Sequence, residues 1–175
     1  MLNNLDSIQK KAIKHLKIAL RNDHEHLPSI VSLCDILIES KNYDEAQIIL
    51  KTAVKQSTES AALYYQQAKI SFKILCYEEA LSCIKKSINL QANESKSYWL
   101  AYEILLASNQ QHLAIPYLEK LTDLSPLDGK AFFELAKLLH NSSELVRKKL
   151  LLENFSEKII LFCLLIVKKN FNVIY

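Results

Sequence analysis

The feature that most constrains this chain is a short pattern that returns after 34 residues. Residues Tyr43–Ala46 read Tyr-Asp-Glu-Ala, and Tyr77–Ala80, 34 positions later, read Tyr-Glu-Glu-Ala. Ala12 and Ala114 extend the same spacing on either side, which places four alanines on one period. A period of this length is typical of helical repeat proteins, in which each unit buries its apolar face only against its neighbours. We therefore expect an all-α chain stabilised by stacked helix pairs.

The composition is consistent with a helical protein and argues against several other fold and function classes. One Gly and three Pro among 175 residues are too few turn residues for an all-β fold. The same shortage of glycine excludes Gly-rich phosphate loops and the nucleophile elbow of hydrolases, so we expect no enzyme and no cofactor. A net charge of +3 is too small to indicate nucleic-acid binding by itself.

The cysteines and the two ends of the chain predict an intracellular, cytoplasmic protein. No two of the four cysteines have Cys-x-x-Cys spacing, and we expect reduced core thiols at Cys34, Cys76, Cys83 and Cys163. The first six residues lack the basic-then-apolar order of a signal peptide. The longest apolar run, Ile159–Val167, is nine residues long, whereas a membrane-spanning helix needs about 20.

Short polar breaks divide the chain into helices that alternate as antiparallel pairs. Residues 6–22 predict a leading amphipathic helix, and the second helices of the pairs are expected near Asp44–Gln56, Glu78–Leu90 and His112–Leu124. We expect a leading half repeat at 1–26 and a repeat array at 27–140. The array comprises repeats at 27–60, 61–94 and 95–128, and the first helix of a further repeat at 129–140.

Residues 141–175 lose the period and are expected to form a degenerate C-terminal helix or tail. Lys148 occupies the position where the next alanine should fall, and Ile159–Val167 is apolar where a terminal helix needs a polar outer face. Two explanations remain open. Either the apolar run packs on another chain, which predicts self-association through Ile159–Val167, or the gene is a shortened form of a longer array.

The repeat resembles the tetratricopeptide repeat family over residues 6 to 140. The matching residues are Tyr64 and Tyr98, Ala68 and Ala136, Tyr43 and Tyr77, the alanines Ala46, Ala80 and Ala114, and the closing Pro126. The chain departs from the family pattern at Gln67, Ser71 and Tyr102, and it lacks the family's usual glycine. The resemblance implies a right-handed α-solenoid of antiparallel helix pairs with 34-residue repeats.

The resemblance also implies a binding surface on the first helix of each pair, where the family holds a peptide or helix of a partner protein. Carrying over the groove-facing positions gives Tyr65, Lys69, Phe72, Lys73, Lys96, Trp99, Glu103, Lys130, Phe133 and Lys137. Aromatic anchors among lysines favour an acidic, hydrophobic partner. Alternatively, the aromatic residues are ordinary core and the lysines are solvated surface. Val31, Asp35 and Ile38 take the same positions in the first repeat, so the family's lysine clamp for a terminal carboxylate is incomplete.

Two other functions, metal binding and RNA binding, have little support in the sequence. His24 and His26 could ligate a metal, but two histidines in one loop do not complete a coordination sphere, and we expect a turn and no metal. Gln66 and Gln67 beside aromatic residues leave RNA binding as a third possibility, although no per-repeat code is present. The preferred hypothesis is a non-catalytic adaptor, scaffold or assembly factor. The alternative is the docking or regulatory portion of a larger enzyme, truncated at the C-terminus.

Overall fold

The computed structural model describes residues 2–56 and 59–141, with side chains for residues 7–55 and 59–141. Over these residues it is all-α, without a strand, and the predicted fold class is confirmed. The helices are α1 Leu2–Asn22, α2 Leu27–Glu39, α3 Tyr43–Gln56, α4 Ala61–Lys73, α5 Tyr77–Leu90, α6 Ser95–Ala107, α7 Ile115–Leu124 and α8 Gly129–Asn141. Within the same residues, no helix combines the length and the apolar character needed to cross a bilayer. The predictions for the tail, including self-association through Ile159–Val167, concern residues outside those described.

The chain divides into two compact units, Met1–Ser97 and Tyr98–Tyr175, and the division falls within α6. In the first unit, Leu16 and Leu20 of α1 pack against a buried cluster from α2, α3 and α4. This cluster comprises Ile30, Leu33, Cys34, Leu37, Ile38, Ala46, Leu50, Ala53, Leu63 and Ile70. In the second unit the largest fully buried side chains are Ile104, Leu105, Leu118, Leu121 and Leu135. Each unit therefore has its own apolar core, built from the positions that recur with the period.

The repeat alanines lie where neighbouring helices leave no room for a larger side chain. Ala46, Ala80 and Ala114 are each 0% exposed. A buried serine takes another recurring small position: the Ser87 hydroxyl donates to the backbone carbonyl of Ala61 at 2.9 Å and lies 3.3 Å from the Ser97 hydroxyl. Its hydrogen bonds offset the cost of burying a polar group, so serine is tolerated there.

The turns inside the three helix pairs share one backbone geometry at positions 34 residues apart. Lys41, Leu75 and Asn109 have φ of 60°, 65° and 59°, in the left-handed region. The N–H of the following residue donates to a carbonyl five residues earlier, as in Asn42 to Leu37 at 2.8 Å. This arrangement is the Schellman motif, which usually has glycine at the left-handed position. In this chain Lys41, Leu75 and Asn109 occupy the left-handed position, so the turns close without the glycine that is usual in the family.

We expect Leu75→Gly to raise the free energy of unfolding by about 0.5–1 kcal/mol. Glycine removes the steric strain of a leucine in the left-handed conformation, and this gain exceeds the stability lost because glycine makes the unfolded chain more flexible. The Leu75 side chain is 68% exposed, so little packing is lost. Urea unfolding followed by circular dichroism measures the change. Asn109→Gly is the control and should gain less, since asparagine tolerates this conformation better. An equal gain, or a loss at Leu75, would contradict the expectation.

The second helix of the last complete pair starts later than predicted. Residues Gln111–Ala114 form a 3₁₀ turn, and α7 begins at Ile115 instead of near His112. Pro116 lies in the first turn of α7. A proline has no N–H to donate within a helix, which is harmless only in the first turn, so the α-helix has to start beside the proline.

Two of the three described cysteines are core thiols, as expected, and one is not. Burial raises the pKa of the Cys34 thiol to about 12, with a further increase from Asp35 and a decrease from Lys69. Burial likewise raises the pKa of Cys83. Cys76 is exposed, because it precedes α5 at the turn between α4 and α5 and does not face the core. Thiolate chemistry at neutral pH is therefore suppressed at Cys34 and Cys83.

Candidate functional site

The ten residues predicted to line a binding surface lie on α4, α6 and α8, and none of them is buried. Five are partly exposed: Tyr65, Lys69, Phe72, Trp99 and Phe133. The other five are exposed: Lys73, Lys96, Glu103, Lys130 and Lys137. The alternative in which Tyr65, Trp99 and Phe133 are sealed in the core does not hold, in contrast to Tyr98 and Tyr102, which are buried. In the first repeat, Ile38 is a core residue at 5% exposure and cannot line a surface.

The first unit contains a tyrosine ring between two lysines, which we term the first cluster: Asp35, Tyr65, Lys69 and Lys96. The ammonium groups of Lys69 and Lys96 lie 5.9 Å and 5.4 Å from the centroid of the Tyr65 ring, at cation–π distance. Lys69 also pairs with the carboxylate of Asp35, which stands 34 residues earlier at the same repeat position. The cluster therefore holds two cations and one anion around a partly exposed ring.

Phe72 and Lys73 lie at the end of α4 and form a smaller local group. The Lys73 ammonium is 5.8 Å from the Phe72 ring centroid, and the Phe72 and Tyr77 rings are 6.1 Å apart. The Tyr77 ring belongs to the first residue of α5, so this group joins the two helices of one pair. Its packing role explains why Phe72 is only partly exposed.

The second unit contains the second cluster: Trp99, Tyr102, Lys130, Glu134 and Lys137. The Lys130 ammonium lies 4.4 Å from the centroid of the Trp99 ring, the shortest lysine–ring distance among the described residues. Trp99 meets the Tyr102 ring edge-on, with centroids 5.7 Å apart and an interplanar angle of 80°. This contact fixes the orientation of the indole against a buried ring, which limits the entropy lost when a partner packs on it.

Hydrogen bonds hold the second cluster together behind the indole. The Tyr102 hydroxyl donates to Glu134 Oε2 at 2.7 Å, and Lys137 Nζ donates to the same oxygen at 3.3 Å. Burial raises the pKa of the Tyr102 phenol above its usual range, and the hydrogen bond and the charge of Glu134 raise it further. The phenol therefore stays protonated and remains a donor to the carboxylate.

Sequence reasoning missed two members of these clusters and included two residues that stand apart. Among the described residues, no hydrogen bond, ion pair or ring contact connects Phe133 or Glu103 to a cluster, and Glu103 acts on the second cluster only through its charge, which helps to raise the pKa of Tyr102. Tyr102 and Glu134 were missed as partners, although one signal was available. Tyr102 replaces a small residue of the repeat, and a buried phenol at such a position requires an acceptor on a neighbouring helix. The role of all these residues in binding stays a prediction.

The histidines predicted to form a turn lie directly before α2. The Nδ1 atom of His26 is 2.8 Å from the Ser29 hydroxyl, and Asp23 Oδ1 accepts from the backbone N–H of Glu25 at 3.1 Å. Among the described residues, no group of three or more potential metal ligands is present. These contacts organise the loop before α2 and account for the polar residues there.

Comparison with other proteins gives matches at the level of structure. No family model and no curated protein matches the sequence. The crystal structure of MamA matches with a TM-score of 0.69 and 18% identity, covering 97% of this chain and 94% of that one. YrrB, described as a TPR protein with an unusual peptide-binding site, matches with a TM-score of 0.60 and 18% identity over 79% of this chain and 73% of that one. A mutant O-GlcNAc transferase of Thermobaculum terrenum matches with a TM-score of 0.58 and 16% identity over 67% of this chain and 23% of the transferase. At these identities the likeness concerns the fold.

Proposed function

Because this chain has the fold of the tetratricopeptide repeat proteins, we propose that it is a non-catalytic adaptor, scaffold or assembly factor. In this proposal it holds a peptide or a helix of another protein, in the cytoplasm, against the first helices of its repeats. One neighbour in fold, YrrB, is described as having a peptide-binding site. The fold supports protein binding as the general class of function, and the clusters on α4, α6 and α8 support the choice of surface.

The observation that carries the proposal is the lysine over the central aromatic ring of each cluster, Tyr65 in the first and Trp99 in the second, above all Lys130 at 4.4 Å from the Trp99 centroid. A lysine on one part of the ring leaves other ring edges for an apolar side chain of a partner. The ammonium group over the ring can still donate hydrogen bonds to a carboxylate of the partner, because a cation–π contact is electrostatic and occupies none of its three N–H donors. An acidic, hydrophobic segment satisfies both groups at once.

The charge part of this proposal is tested by Lys69→Glu combined with Lys96→Glu. We expect the double variant to bind a partner recovered by co-purification about ten-fold or more weakly, because like charges across an interface are strongly unfavourable. The wild-type affinity should itself fall when the salt concentration is raised, because screening weakens exposed charge pairs. Titration of the purified partner segment at low and high salt measures both effects.

Lys51→Glu combined with Lys55→Glu is the matched control for the charge change. Both lysines are exposed on α3, outside the two clusters. The control should bind within about two-fold of the wild type, as expected for charges remote from an interface. Equal binding by the cluster variant and the wild type, with helix content unchanged, would show that the first cluster does not contact the partner.

A second candidate is that the repeats are the docking or regulatory portion of a larger enzyme. The O-GlcNAc transferase supports it, because the match to this chain covers only 23% of that protein. Sequencing the transcript beyond Tyr175 distinguishes the candidates. An open frame that continues into a catalytic domain would favour the enzyme, and a stop codon directly after Tyr175 would favour the adaptor.

A further inference from the structure

The positive charge of this protein is concentrated on its first helix. Within α1 the cations outnumber the single aspartate five to one, which is a net charge of +4, against +3 for the entire chain. The five cations are Lys10, Lys11, Lys14, Lys17 and Arg21. We term them the basic face. The remaining residues together are therefore slightly acidic, and the charge on α1 is a local feature that composition alone does not reveal.

The fold turns the basic face away from the core. Ile13, Leu16 and Leu20 of α1 pack against the buried cluster of the first unit, so the opposite side of the helix faces outward. All five cations are exposed. Four of them follow an i, i+4, i+7, i+11 pattern from Lys10 to Arg21, which forms one stripe about 16 Å long.

Most of this charge is not neutralised by the side chains that the structure describes. Lys17 forms an ion pair with Glu45 of α3. Among the side chains that the structure describes, no carboxylate pairs with Lys10, Lys11, Lys14 or Arg21. Several unpaired cations on one stripe repel each other, and an anionic partner relieves that repulsion. The arrangement therefore favours a partner with closely spaced negative charges.

Two isoleucines distinguish among anionic partners. Ile18 is 40% exposed and shares a side of the helix with Lys11, while Ile8 is 58% exposed at the edge of the basic face. Aliphatic side chains among lysines suit the boundary between lipid headgroups and acyl chains. Proteins that bind single-stranded nucleic acid instead stack the bases on aromatic side chains, and α1 contains no Phe, Tyr or Trp.

We propose that the basic face of α1 docks this protein on an anionic lipid surface. A group of five lysines and arginines on an amphipathic helix, like the basic face, is typical of helices that bind phosphatidylserine and other acidic headgroups. The attraction acts within about a Debye length, near 10 Å at moderate salt, so the face must lie close to the headgroups. The proposal is independent of the identity of the protein partner.

Sedimentation with vesicles tests the proposal on the full chain. The probe is a vesicle of phosphatidylcholine with phosphatidylserine, compared with phosphatidylcholine alone. We expect binding only to the anionic vesicles and a marked loss in high salt. Lys10→Gln combined with Lys14→Gln should weaken vesicle binding about 25-fold, since each lysine near an anionic surface contributes about five-fold.

Lys85→Gln combined with Lys120→Gln removes the same charge from exposed positions on α5 and α7 and should leave vesicle binding within a few-fold of the wild type. Three results would overturn the proposal: equal binding to neutral vesicles, an equal loss in both double variants, or no loss in either. Displacement from the anionic vesicles by a duplex DNA oligonucleotide at equal phosphate concentration would assign the basic face to nucleic acid instead.

Discussion

Replacing Ile84 with alanine is expected to lower the free energy of unfolding by about 2–5 kcal/mol, the range for truncation of a buried isoleucine or leucine. Ile84 is 0% exposed on α5, at a position of the second helix that recurs with the 34-residue period. The loss combines the transfer of the removed methyl groups with the cavity left between packed helices. Chemical denaturation followed by circular dichroism at 222 nm measures the change.

Ile48→Ala is the matched control because it makes the same chemical change on a neighbouring second helix. Ile48 lies on α3 and is 66% exposed, so its truncation should change the free energy of unfolding by no more than about 0.5 kcal/mol. The contrast tests whether the repeat positions, and not isoleucine in general, stabilise the fold. Similar losses at the two positions would show that the assignment of inward and outward faces is wrong.

Replacing Trp99 with alanine is expected to weaken partner binding by about 30-fold or more, equivalent to at least about 2 kcal/mol. Trp99 is partly exposed, carries Lys130 over its ring and rests against the edge of Tyr102. A large ring held in one orientation contributes much of the energy of an interface at little entropic cost. Isothermal titration with the partner segment gives the change in affinity.

The control for Trp99→Ala is Tyr64→Ala, which removes another partly exposed ring beneath a lysine. The Lys86 ammonium lies 5.2 Å from the Tyr64 ring centroid, and neither residue belongs to the clusters. This variant should retain partner affinity within about three-fold, as is typical of positions outside an interface. Retention of affinity by Trp99→Ala, with helix content unchanged, would exclude the second cluster from binding.

Trp99 also gives a direct readout, because it is the single tryptophan of the chain. Its fluorescence reports on the second cluster without any label. Addition of an acidic, hydrophobic peptide without tryptophan that binds there should change the emission in a saturable way, as the ring loses water and Lys130 moves toward a carboxylate. Lys130→Gln should reduce both the response and the affinity while keeping the indole in place. A response that is linear in peptide concentration would indicate no specific binding.

Much of the fold follows from the 34-residue period, because the period states directly which side chains must be buried. Ala46, Ala80 and Ala114 recur with this period, and all three are fully buried. The helices begin and end within a few residues of the expected positions, except where Pro116 delays α7. Periodicity succeeds here because each helix packs mainly on its neighbours in sequence, so little depends on distant residues.

The candidate site was less accessible to sequence reasoning, since it depends on pairs of residues from different repeats. The surface positions of Tyr65, Lys69 and Trp99 were expected, whereas the bond from Tyr102 to Glu134 was not. Lysines at repeat positions could have been ordinary solvated surface, and nothing in their spacing indicates that Lys96 and Lys69 share one ring. Such contacts depend on how far each helix is rotated and shifted against the next.

The amino-acid pattern was thus sufficient for the all-α class, the repeat length and the inward faces of the helices. These properties are local, since they depend on apolar residues recurring every three or four positions. Only the folded chain decided that Leu75 adopts a left-handed conformation without glycine, that Cys76 is exposed, and that Lys17 is the one cation of α1 that pairs with a carboxylate among the described side chains. The first two results depend on the backbone geometry of the turn between α4 and α5, and the third depends on distances between side chains of different helices. A one-dimensional period contains neither.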